Sequence, residues 1–86
     1  MNTDMKIEFQ ENGWAVFEDG SVQYESNGQI IFEIPAEKVI SPEVNWIMFI
    51  ESQDWFREED KMAVMKAICK ASMISMIWQH NETAPV

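Results

Sequence analysis

The chain is poor in the residues that staple small folds and build active sites. Among 86 residues there are one cysteine, one histidine, three glycines and three prolines. A single cysteine, Cys69, excludes an intrachain disulfide and fits a reducing compartment. Basic residues are also few, six against fifteen Asp and Glu, for a formal net charge of −9. The opening MNTDMKIEFQ has no basic stretch followed by an uninterrupted apolar one, so no secretory signal is expected. The most apolar run, Met62 to Trp78, is broken by Lys66, Lys70, Ser72 and Ser75 and makes a poor membrane span. These absences lead to an expectation of one cytoplasmic domain, residues 1–86, with no membrane segment.

The same scarcity argues against catalysis. There is no glycine-rich phosphate loop, and Glu58-Glu59-Asp60 lacks the alternating spacing of a calcium loop, so it reads as a solvated first helical turn. His80 stands near a helix end, where its bland role is to complement the dipole. Cys69 lies in mid-helix among methionines and reads as a buried, inert thiol. No catalytic set, metal site or cofactor is expected, and the chain is read as a non-enzyme.

What glycine there is falls in three Asx-Gly pairs: Asn12-Gly13, Asp19-Gly20 and Asn27-Gly28. Such pairs adopt the positive φ of tight hairpin turns, and they separate short alternating apolar runs. This predicts a four-stranded antiparallel meander over residues 1–35, with strands near Met5–Gln10, Trp14–Glu18, Ser21–Ser26 and Gln29–Ile34. Alternation assigns Ile7, Phe9, Trp14, Val16, Val22, Tyr24, Ile30, Phe32 and Ile34 to the core face. Keeping them together requires odd loop lengths at the second and third turns. The opposite face then carries Glu8, Glu25 and Glu33 with Lys6, Gln10 and Gln23, and partly exposed Phe17 and Ile31.

Residues 41–80 read as helical. Ser41-Pro42-Glu43 has the chemistry of a helix start, and Trp46, Phe49 and Ile50 share one face of a helix reaching about Glu51. A break near Ser52 to Asp54 would leave Asp54 as the next cap. It contains neither Gly nor Pro, so two helices or one continuous helix both fit. The tail from Asn81 to Val86 has no apolar pattern and is expected to fray. The fold class is therefore α+β, a meander sheet with one face covered by two C-terminal helices.

At 100° per residue the second helix separates into two apolar faces. Met62, Met65, Cys69, Met73 and Met76 share one; Ala63, Ala67, Ala71, Ile74 and Trp78 share the other. Lys66 and Lys70 divide them on one side, and Lys61, Ser72, Ser75 and Gln79, with Ile68 among them, on the other. The small-residue face suits close packing, while the methionine face is adaptable and suits either the core or another chain.

The charge is unevenly placed. Residues 1–60 hold 14 of the 15 acids and three basic residues, a net charge of −11, and the remainder carries +2. Such a surface repels phosphate backbones, which disfavours direct nucleic-acid binding and favours a basic protein partner. Glu8, Glu18, Asp19, Glu25, Glu33, Glu58 and Glu59 are the candidate partner-binding acids, with Phe17, Trp55 and Phe56 as apolar anchors. Strands about 4.8 Å apart and alternate side chains about 6.8 Å apart would space the sheet acids much like phosphates on a nucleic-acid strand.

Two readings follow. One is a non-catalytic acidic inhibitor or modulator occupying the basic surface of a nucleic-acid-handling partner. Compact phage and mobile-element proteins that antagonise host defence resemble the chain in size and charge alone. The other is a homodimeric structural or regulatory module joined through Met62, Met65, Cys69, Met73 and Met76, its acid only solubilising.

Overall fold

The computed structural model describes residues 5–83, with side chains described as far as Trp78. Four strands, β1 (Ile7–Glu11), β2 (Trp14–Phe17), β3 (Val22–Ser26) and β4 (Gln29–Ile34), form one antiparallel sheet in sequential order. Three helices follow: α1 (Ala36–Val39), α2 (Trp46–Glu51) and α3 (Lys61–Thr83), the last entered through a 3-10 turn at Glu58–Asp60. The protein is thus α+β, with its helices layered on one face of a meander sheet.

The Asx-Gly turns fall where the sequence places them. Asn12-Gly13 and Asn27-Gly28 close two-residue hairpins with both residues at positive φ. Four residues separate β2 from β3, and because Phe17 still pairs with Ser21 the loop proper has three, Glu18 to Gly20. It is closed by Phe17 N–H donating to Ser21 O (3.0 Å) and Gly20 N–H donating to Phe17 O (2.8 Å). The expected odd loop is therefore present at the second turn but not at the third.

Bulges restore the register instead. In β4 Tyr24 pairs with Phe32 and Glu25 with Ile30, which leaves Ile31 extra; in β1 Ile7 pairs with Phe17 and Phe9 with Val16, which leaves Glu8 extra. An inserted residue moves everything beyond it to the opposite face. Ile7 and Ile30, assigned by alternation to the core, accordingly lie on the outer face and are 45% and 47% exposed. Both bulged strands are sheet edges, where a bulge also hinders pairing with another chain.

On the inner face Trp14, Tyr24 and Phe32 form one row across β2, β3 and β4, and Phe9, Val16, Val22 and Ile34 form the next. Trp14 stacks on Tyr24 at 4.6 Å between centroids, and Trp55 lies against all three rings of the row, stacked on Tyr24 at 5.3 Å, 5.5 Å from Phe32 and 6.1 Å from Trp14. Each such aromatic pair contributes about 0.5–1.5 kcal/mol beyond burial of its area. Trp55 and Phe56 are packed against the core, so neither is a free anchor for a partner.

The helical part departs from expectation at its starts. Asn45, not Ser41, caps α2, its Oδ1 accepting from Met48 N–H at 3.2 Å. Ser41 Oγ accepts from Glu43 N–H in a turn between α1 and α2, and the short α1 had no sequence signal of its own. Asp54 caps nothing; the 3-10 turn begins after Arg57 without a side-chain cap. The irregular stretch from Ser52 to Arg57 makes α2 and α3 separate helices. α3 continues to Thr83, past the point where its apolar pattern ends, and residues 84–86 of the expected fraying tail lie outside the described residues.

α3 buries Ala63, Val64, Ala67, Ile68, Ala71 and Ser75 against the sheet and α1. Ile68 and Ser75, placed by polarity in a solvent stripe, belong to this face because the inward arc is wider than the alanine row alone. Ser75 Oγ donates to Ala36 O at 3.2 Å, which satisfies its hydroxyl. At either end α3 is pinned to the turns: Asn12 Nδ2 donates to Asp60 Oδ1 (3.4 Å), and Trp78 Nε1 donates to Glu18 O (2.8 Å).

Candidate interaction surfaces

The outer sheet face is built by register. Cross-strand pairs Gln10–Ala15, Ala15–Gln23, Gln23–Glu33 and Glu25–Ile30 put these side chains on the side away from the helices, joined by Ile7 and Phe17. The face is not a plain acidic plane. Ile30 and, at the bulge, Ile31 are exposed apolar residues beside Glu25 and Glu33, and Ile7 is exposed on the opposite edge strand, β1. The doublet Ile30-Ile31, which breaks strict alternation, was the one sequence signal for this arrangement.

Two grooves carry Glu25 and Glu33. Glu33 borders a groove of about 250 Å³ with Phe17, Ser21, Val22, Ile34 and Pro35. Glu25 borders a more polar groove of about 340 Å³, lined by Asn12, Tyr24, Arg57, Glu59 and Asp60. Neither Glu25 nor Glu33 makes an ion pair among the described residues, whereas Glu59 pairs with Arg57 (2.6 Å), Glu51 with Lys61 (3.7 Å) and Glu11 with Lys66 (3.4 Å).

The other candidate acids are dispersed. Glu18 and Asp19 stand at the β2–β3 turn, the end of the sheet away from Asn12 and Asn27. Asp19 serves that turn, its Oδ1 accepting from Ser21 N–H (2.9 Å) and Ser21 Oγ (2.7 Å). Glu8 is the exposed bulge residue of the β1 edge. Glu58 and Glu59 lie on the 3-10 turn, so Glu59 joins Glu25 at the polar groove while the remainder do not converge. Asp60 is buried rather than solvated.

A second surface lies on α3. Met62, Met65, Met73 and Met76 are 61%, 41%, 61% and 59% exposed. Cys69, expected to be buried, is exposed in their midst. This ridge points away from the sheet, so no part of the described chain covers it. Lys66, on its flank, is drawn towards Glu11. The side chain of His80 lies outside the described ones.

Among the described residues no group of three or more His, Cys, Asp or Glu is placed to hold a metal ion, and no helix is long and apolar enough to cross a membrane. Compared with known proteins, the chain matches no family model, no curated protein and no solved structure.

Proposed function

We propose that the protein is a non-catalytic acidic binding module that occupies a basic surface of a partner protein. It acts as a small inhibitor or modulator of a nucleic-acid-handling protein, of the kind phage and mobile elements deploy. The observation that carries this reading is that Glu25 and Glu33, outer-face carboxylates without an ion pair among the described residues, each have a groove beside them.

A lysine or arginine suits the Glu33 groove well. Its methylenes can lie on Phe17 and Pro35 while its charged head meets the carboxylate. In the polar groove Glu59 is already paired with Arg57 and Asp60 is buried, which leaves Glu25 as the carboxylate open to a cation. Exposed Ile30 and Ile31 sit on β4 between Gln29 and Glu33 and supply apolar area that excludes water from such contacts. The remaining acids, Glu8, Glu18 and Glu58, contribute long-range attraction and speed of encounter.

The test is a pull-down from the native host with the wild-type chain and with Glu25→Lys/Glu33→Lys, washed at low and then high salt. A basic nucleic-acid-binding protein retained at low salt, released at high salt and absent from the reversed variant is the expected result. Retention indifferent both to salt and to the reversals would contradict the reading.

A further inference from the structure

The exposed ridge of α3 has a spacing that reads the same from either end. Met62, Met65, Cys69, Met73 and Met76 are separated by 3, 4, 4 and 3 residues, with methionines on both sides of the central cysteine. At 100° per residue the five fall within an arc of about 80°, opposite the side chains that α3 buries on the sheet.

We propose that this ridge is the contact with a second copy of the chain, the two α3 helices running antiparallel about a twofold axis at Cys69. A twofold contact requires a patch complementary to itself, with residue i meeting j and j meeting i. An axis at Cys69 sets Met65 against Met73 of the second copy, Met62 against Met76, and Cys69 against its own equivalent. A surface shaped for an unrelated partner has no reason to be palindromic.

Repulsion between acids is least on this face: two copies at −9 repel each other over most of their surfaces, but α3 carries no acid between Lys61 and Asn81. A twofold axis at Cys69 sets the Lys66 and Lys70 flanks of the two copies on the same side, where Lys66 is drawn towards Glu11 of its own chain. Five side chains are few beside the roughly 20–30 residues a side of a standard stable interface, so the dimer is weak. Since α3 lies on the inner side of the sheet, pairing leaves both outer faces free. The inference is independent of the basic-partner reading.

Sedimentation velocity on the full chain, from about 1 µM to several hundred µM, is expected to show a reversible monomer–dimer equilibrium. Met65→Glu and Met73→Glu, at exposed positions, keep the monomer's circular dichroism and lose dimerisation by about 100-fold or more. The double variant Met65→Glu/Met73→Lys sets opposite charges across the axis in this register alone and restores dimerisation. Treatment of the reduced wild type with diamide yields a Cys69-linked dimer, which Met65→Glu suppresses. A chain that stays monomeric at the highest concentration overturns the proposal. So does a dimer untouched by the single glutamate variants, or one that the double variant fails to restore.

Discussion

Gly20 sits where the β2–β3 turn meets α3. A Cβ there would lie 2.3 Å from Ser75 Oγ and 3.0 Å from Ser75 N, and the backbone is at φ +95°. Gly28, at φ +78°, has nothing within 4 Å of the same imagined atom. Both glycines hold a positive φ in a hairpin loop, one of three residues and one of two, and they differ in what surrounds them. Gly28→Ala is expected to lower stability by about 1–2 kcal/mol, the cost of a left-handed backbone for an L-residue. Gly20→Ala adds a clash with a buried helix backbone, and a loss of more than about 3 kcal/mol is expected in urea unfolding. Equal losses would mean that the turn does not press on α3. The Asx-Gly pairs announced both turns; the close approach of Gly20 to Ser75, fifty-five positions away, has no local signature.

Among elements, the starts of α2 and α3 and the phase of α3 decide how the layers meet. Asn45→Ala removes the side-chain cap of α2 and is expected to cost about 1 kcal/mol, while Ser41→Ala, outside any helix, costs a few tenths. The reverse order would restore Ser41 as the cap. Within α3, Ile68 is 8% exposed and Met73 61%. Ile68→Ala is expected to cost about 2–4 kcal/mol and Met73→Ala less than about 0.5, measured where the chain is monomeric. The separation of α3 into a small-residue face and a methionine face was legible because 3.6-residue periodicity is local. Its true inward arc was not, because Ser75 is buried between the Gly20 turn and α1, which accepts its hydroxyl proton and is a four-residue helix that follows Pro35 with no apolar period to betray it. The bulges at Glu8 and Ile31 were likewise hidden. Strict alternation and a one-residue slip differ by the packing of whole strands, which returned Ile7 and Ile30 to solvent and changed the composition of the outer face.

At the scale of the molecule, two layers leave two exposed surfaces of opposite character: a sheet face where isoleucines mix with unpaired carboxylates, and a helix ridge of methionines without acid. The overall acidity and its concentration in residues 1–60 were plain from composition. That Glu25 and Glu33 stand beside grooves, while Asp19 is spent on its turn and Glu59 on Arg57, depended on the three-dimensional register. The functional reading therefore rests on those two residues, and their contribution is measurable as a salt dependence. The decisive experiment is the affinity of the captured basic partner for the wild-type chain and for Glu25→Lys/Glu33→Lys across a salt series. The wild type should weaken steadily as salt rises. The reversed variant should bind at least about tenfold more weakly at low salt, with a flatter dependence. Equal affinities and equal slopes for the two proteins would contradict the assignment of the outer sheet face as the binding surface.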